Sequence, residues 1–156
     1  MPLDFGTRKL TPPGKRWGRI RRAAEEMLRF LRIEDAELSL MLCDDTTIAD
    51  LNQRFRDESK ATDVLAFPSL PRTSPEQPWL LGDIVISVEH ASLQADKRGV
   101  SLEEEIIFLL AHGLLHLLGF DHRDRAEERR MKARNDLLCR VALIERKRPR
   151  RDLRSS

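Results

Sequence analysis

The segment from Ser101 to Gly119 constrains the fold of this chain more than any other part of the sequence. Ser101 and Glu104 form a capping-box pattern that begins a helix, and Gly119 ends it. The apolar residues between them point to every side of that helix: Ile106, Ile107, Phe108, Leu109, Leu110, Leu114, Leu115, Leu117 and Leu118. Because a helix that is apolar all round must be buried, we expect it at the centre of the domain.

Two histidines, His112 and His116, lie on this helix, and a third, His122, follows it. Residues four apart share a helix face, and a turn at Gly119 can bring His122 back toward the pair. A single buried histidine is usually a hydrogen-bonded core residue, but two on one turn without a shared partner would cost a few kcal/mol, roughly. Three protein ligands with one open position are typical of catalytic zinc. The sequence therefore predicts one Zn²⁺ ion bound by His112, His116 and His122.

The residue after the first histidine limits the chemistry of this site. The spacing HxxxHxxGxxH matches a large class of zinc proteases, which carry a glutamate there as the general base. Here the position is Gly113, so peptide hydrolysis would need a base from elsewhere. Asp121, beside the third histidine, either orients that ligand, acts as an acid or base, or is only a turn residue.

The remaining sequence predicts an α+β fold. Helical patterns cover residues 15–33, about 45–55, a segment ending near 97 and a charged segment after Asp124, and strand patterns cover 37–43, 63–67 and 82–88. We expect a small mixed four-stranded sheet packed with about five helices, with the metal site on the central buried helix. Residues 1–145 are expected to form a single metallohydrolase domain, and residues 146–156 a basic, disordered tail.

Composition excludes several classes of protein. The longest apolar runs fall short of the roughly 20 residues that span a membrane, and the N-terminus lacks a signal peptide, so we expect a cytoplasmic protein with no membrane partner. Two distant cysteines, Cys43 and Cys139, predict buried reduced thiols. Basic clusters at residues 15–22 and 146–154 are either solvated surfaces or sites for a polyanion.

Three sequence blocks together resemble a known family. The run HGLLHLLGFDH at residues 112–122 closely resembles the signature of the YbeY family of bacterial endoribonucleases. LNQRFR at 51–56 with TDVLAFP at 62–68, and LGDIVIS at 81–87, occur in the family's order. Departures are small: Phe120 stands where tyrosine is frequent, and alanines stand at 61 and 66 where proline and serine are.

The resemblance implies a zinc-dependent endoribonuclease specific for single-stranded RNA. It implies a role in ribosomal RNA maturation, including the 3′ end of 16S RNA, and in ribosome quality control, with the ribosome or its small subunit as partner. His112, His116 and His122 match the family's metal ligands, and Arg56 matches a functionally important arginine, so Arg56 and His112 are the expected catalytic residues. By its chemistry alone, Arg56 could clamp a phosphate or form a surface salt bridge.

Two other functions are compatible with the histidine pattern. One is a metallopeptidase or other zinc hydrolase that uses a base outside the HxxxH motif. The other is a non-enzymatic ribosome-associated factor in which zinc only holds the fold. The open fourth ligand position disfavours the second, and Gly113 disfavours the usual mechanism of the first.

Overall fold

A computed structural model describes residues 14–56, 62–120 and 123–147. Its elements, in chain order, are α1 (Gly14–Phe30), β1 (Glu37–Cys43), α2 (Asp45–Arg56), β2 (Val64–Pro68), β3 (Leu80–Ser87), α3 (Val88–Arg98), α4 (Leu102–Leu117) and α5 (Arg125–Lys147). The strands form one sheet in the order β1–β3–β2, with β1 parallel and β2 antiparallel to β3. None of the helices within these ranges is long and apolar enough to cross a bilayer.

The α+β class, the mixed sheet and the five helices are confirmed, but the prediction of four strands is wrong for the described residues, which contain three. Each segment with a strand pattern does form a strand. The long connection between β2 and β3 adds none, because Pro71, Pro75 and Pro78 have no backbone N–H to donate to a neighbouring strand.

Both faces of the sheet are buried, and α4 packs on the face that carries the larger hydrophobic cluster. Side chains alternate along each strand, so that in β3 Ile84 and Ile86 face the main core while Val85 faces a smaller cluster on the α2 side. Helices α1, α3 and α5 pack around α4, which also contacts β2 and β3. The prediction that this helix is the central buried one is therefore confirmed.

Three boundaries differ from the predicted ones. Helix α1 ends at Phe30 because Arg32 adopts a left-handed backbone (φ 61°). There Ile33 N donates to Leu28 O over 2.9 Å, as in a Schellman motif. The third strand ends at Ser87 because the Ser87 side chain caps α3 by accepting from His90 N. At the C-terminus α5 continues through residue 147, and residues 148–156 of the predicted tail lie outside the described residues.

Candidate metal centre

His112 and His116 lie side by side on α4, and both are half-buried. Their Nε2 atoms are 3.1 Å apart, and their ring centroids are 4.7 Å apart at an interplanar angle of 73°. The two nitrogens therefore converge on one point beside the helix. The prediction that the four-residue spacing places them together is confirmed.

The ends of α4 position this pair as the sequence predicts. Ser101 Oγ accepts from Glu104 N at 3.1 Å at the start of the helix. At the other end Gly119 has a left-handed backbone (φ 95°), Gly119 N donates to His116 O, and Phe120 N donates to Leu115 O. This Schellman motif ends the helix at Leu117, one residue after His116.

A cleft of about 430 Å³ opens beside the two histidines. We call it the histidine cleft, and it is lined by Asn52, Thr62, Asp63, Val64, Leu65, Ala66, Pro68, His112, Gly113 and His116. Its walls therefore come from α2, from β2 and the segment that leads into it, and from α4. Two of the sequence blocks that point to a known family meet at this cleft.

The third block forms most of β3, and α4 packs on this strand. A Cβ on Gly113 would lie 2.9 Å from Cγ2 of Ile84, closer than side chains pack. The face of α4 where zinc proteases carry their glutamate is thus pressed against the sheet. Gly82 permits a second close approach, since its backbone has φ 142° and a Cβ there would meet Phe67 O at 2.3 Å.

Asp63 holds the chain segment at the rim of the cleft. Its Oδ1 accepts from Val64 N at 2.7 Å, its Oδ2 accepts from the Gln94 side chain at 3.2 Å, and its backbone carbonyl accepts from Ser87 N. Asp63 and Asn52 were not predicted from the sequence as cleft residues. Their available signal was their place in LNQRFR and TDVLAFP, two of the segments that resemble a known family.

Several predicted site residues fall outside what the structure describes. His122 and Asp121 are outside the described residues, so the third ligand stays a prediction. Arg56 is the last residue of α2, one turn after Asn52, and its side chain lies outside the described part. Within residues 14–56, 62–120 and 123–147, no cluster of three or more metal-ligating side chains occurs.

The fourth histidine belongs to a different part of the molecule. His90 lies in the first turn of α3, where its Nδ1 contacts Asp45 Oδ1. Ser87 Oγ donates to the same carboxylate oxygen. This cluster joins the starts of α2 and α3, and His90 is not among the residues that line the histidine cleft.

Comparison with known proteins gives a consistent result. The family model described as endoribonuclease YbeY matches residues 14–141. The endoribonuclease YbeY of Persephonella marina is 44% identical over 109 residues, which cover 70% of this chain and 71% of the relative. That of Staphylococcus aureus (strain Newman) is 39% identical over 125 residues, covering 73% and 81%. The solution structure of TM1509 from Thermotoga maritima superposes with a TM-score of 0.64 at 23% identity, covering 92% of this chain and 90% of that one, which shows a common fold.

Proposed function

The chain belongs to the YbeY family of endoribonucleases, and from this premise we propose that it cleaves single-stranded RNA in a zinc-dependent reaction, with the histidine cleft as its active site. The proposed substrate is ribosomal RNA, including the 3′ end of 16S RNA, within ribosome maturation and quality control. The proposed partner is the ribosome or its small subunit, and the proposed location is the cytoplasm.

The short distance between the Nε2 atoms of His112 and His116 is the main observation that supports this proposal. Two nitrogens that are each about 2.0–2.1 Å from one tetrahedral zinc ion are about 3.3–3.4 Å apart. The observed 3.1 Å is close to this separation, and two imidazoles at the mouth of a cleft form a donor set that suits zinc. His112, His116 and His122 would hold the ion, which would supply a Lewis acid for phosphodiester cleavage.

Arg56 is the proposed phosphate clamp. It lies one helical turn after Asn52, which lines the cleft, and residues four apart share a helix face. A guanidinium donates two parallel hydrogen bonds to phosphate oxygens, which lysine does not reproduce.

Exposed cations at the start of α5 support a polyanionic substrate. Residues 123–134 carry six arginines and lysines against three acidic residues. All six are exposed: Arg123, Arg125, Arg129, Arg130, Lys132 and Arg134. Because the segment begins immediately after the proposed third ligand, these cations would meet the RNA backbone close to the cut. Binding should therefore weaken steeply as salt rises.

Two features disfavour the alternative of a metallopeptidase. Gly113 is packed against Ile84, so the usual position of the general base has no room for a side chain. Among the described residues that line the cleft, Asp63 is the single carboxylate, and both of its oxygens accept hydrogen bonds from neighbours. A carboxylate held in this way is a poor candidate for the missing base.

The metal assignment is tested by measuring zinc content and RNA cleavage on the same purified samples. We expect one zinc per wild-type chain, and loss of both zinc and cleavage in His112→Ala and His116→Ala. His90→Ala is the matched control, since it removes a histidine outside the cleft and should keep both. A wild-type chain that binds no zinc after metal reconstitution would overturn the assignment.

The substrate class is tested by offering single-stranded RNA, double-stranded RNA and casein to the wild type. We expect cleavage of the single-stranded RNA alone. Arg56→Ala should lower cleavage by about 100-fold or more, the usual effect of removing a charge-stabilising donor, while zinc content stays unchanged. Arg56→Lys should recover only part of the loss. Hydrolysis of casein without hydrolysis of RNA would replace this proposal by the metallopeptidase, and full RNA cleavage by Arg56→Ala would remove Arg56 from the mechanism.

A further inference from the structure

A second cavity, of about 590 Å³, lies between α3, α4 and α5 on the other side of His112. We call it the α5 cavity. Its volume falls within the range of about 300–1,000 Å³ that is usual for ligand pockets. His112 lines both this cavity and the histidine cleft, so a ligand in the α5 cavity lies next to whatever occupies the cleft.

One row of side chains on α4 connects the two cavities. Glu105, Phe108, His112 and His116 follow at spacings of three and four, so they form a continuous ridge along one helix face. The first three line the α5 cavity, and the two histidines line the cleft. Phe108 is about 6 Å from His112 along the helix axis, which is comparable to the length of one nucleotide.

The floor of the α5 cavity has a flat surface suited to stacking. The Arg98 guanidinium carbon lies 4.2 Å from the centroid of the Phe108 ring. Glu105, which is 1% exposed, fixes this arrangement because Arg98 Nη1 donates to its Oε1 at 2.7 Å. The buried Met131 adds an apolar wall, and aromatic and guanidinium planes are the surfaces on which proteins stack unpaired bases.

Asn135 lies in the wall of the α5 cavity. Its side chain lines the cavity and the residue is 3% exposed. Its amide nitrogen makes a long contact of 3.9 Å to Cys139 Sγ. Its Oδ1 has an accessible area below 1 Å² and is closed to a ligand in the cavity, so Asn135 forms part of the wall and reports on what binds there.

We propose that the α5 cavity binds the nucleobase of the nucleotide adjacent to the scissile phosphate, with the base stacked on the Phe108–Arg98 pair beside the apolar wall of Met131. The exposed cations Lys97 and Lys132 at the rim of the cavity then face the flanking phosphate. This inference rests on the proposed function, since it assigns a base subsite to the same RNA-cleaving centre. The base is recognised by its flat ring, so all four nucleotides are accepted.

The first test uses single-stranded RNA oligonucleotides in which one abasic nucleotide is moved along the sequence. For the wild type we expect kcat/KM to fall by about tenfold when the abasic position neighbours the cut, because a stacked base is lost. Phe108→Leu should lose this discrimination and should cut the abasic and intact RNAs at similar rates. Leu137→Ala, on α5 but outside the cavity, is the matched control and should discriminate like the wild type.

Two results of that test would overturn the subsite. One is a wild type that cuts RNA but is indifferent to the abasic position. The other is a Phe108→Leu variant that remains as sensitive as the wild type. Folding does not obscure the result, because Phe108 is half-buried and the second test uses the wild-type protein.

The second test does not depend on cleavage. The side-chain amide signal of Asn135 is followed by NMR during titration with AMP, CMP, GMP or UMP, and with ribose 5-phosphate as the control. We expect shifts with the nucleotides and none with the sugar phosphate. Equal responses to all of them, or no response, would reject a base site. If the chain cuts no RNA but the nucleotides still shift Asn135, the cavity is a base site and the proposed function is what has failed.

Discussion

Gly113 of α4 lies directly on Ile84 of β3, and this contact sets how closely the helix that carries His112 and His116 approaches the sheet. A Cβ at position 113 would be 2.9 Å from Ile84 Cγ2 and 3.2 Å from its Cδ1. The same contact explains why the motif has no side chain where a zinc protease has its base. The position of the two histidines therefore depends on a glycine that has no role in the chemistry.

Adding a single methyl group at this contact should destabilise the protein. We expect Gly113→Ala to lower the free energy of unfolding by about 1–3 kcal/mol, because a packed core resists overpacking. Gly18→Ala on α1 is the matched control: a Cβ there meets nothing within 4 Å, and replacing a helical glycine by alanine should stabilise by about 0.5–1 kcal/mol. Urea unfolding of both variants measures the difference. A Gly113→Ala variant that is as stable as the wild type, or more stable, would show that the helix lies further from the sheet.

The left-handed residue at the end of α1 offers a stabilising substitution. Arg32 has φ 61° in a position that glycine adopts without strain. We expect Arg32→Gly to raise the free energy of unfolding by about 0.5–1 kcal/mol, the relief of strain less the added entropy of the unfolded chain. Arg29→Gly, three residues earlier within the helix, is the control and should destabilise by about 1 kcal/mol. Thermal unfolding compares the two, and a lower Tm for Arg32→Gly would contradict the assigned backbone.

Both cysteines should resist alkylation in the native protein. Burial raises the pKa of the Cys43 thiol to about 12 and that of Cys139 to about 11. Since a raised pKa keeps the thiol protonated at pH 8, little of the reactive thiolate is present. We expect iodoacetamide to react at least about 100-fold more slowly than with the unfolded chain. Mass spectrometry after timed quenching, with and without urea, makes the comparison, and rapid labelling of Cys43 in the folded protein would contradict its burial.

The cluster of Asp45, Ser87 and His90 should stabilise the fold at neutral pH and lose this contribution at acidic pH. Burial raises the pKa of Asp45, but the hydrogen bonds from Ser87 and His90 and the nearby imidazole outweigh it and hold the pKa below the ordinary value of 3.8. A depressed pKa in the folded state stabilises above the unfolded pKa, and this contribution is lost as pH falls through the folded value.

We therefore expect Asp45→Asn to be less stable than the wild type at pH 7, with the gap closing below about pH 4. Urea unfolding between pH 3 and pH 7 measures it. Asp50→Asn is the control on the same helix, where an exposed ion pair with Arg54 contributes little at neutral pH. A gap that stays constant down to pH 3 would mean that the Asp45 charge does not stabilise the fold.

The sequence by itself determined the features that depend on neighbouring residues. The cap at Ser101, the stop at Gly119 and the pairing of His112 with His116 arise within one helix, so their signals are contiguous and all three are confirmed. The family resemblance rests on contiguous blocks too, and the family match confirms it. The end of α1 was predicted too late because arginine, at Arg32, carries no sequence signal for a left-handed residue.

Tertiary structure alone decided which distant residues share the site. The fourth strand was predicted from an overall pattern, whereas strand number is set by which segments find a pairing partner. Asn52 and Asp63 reach the cleft, and Asn135 reaches the cavity behind His112, because helices from separate parts of the chain pack on α4. The sequence shows that Gly113 stands where a zinc protease has its general base. Only the contact with Ile84 explains why a glycine is needed there. Side-chain contacts across elements follow from the packing of surfaces, which no local pattern records.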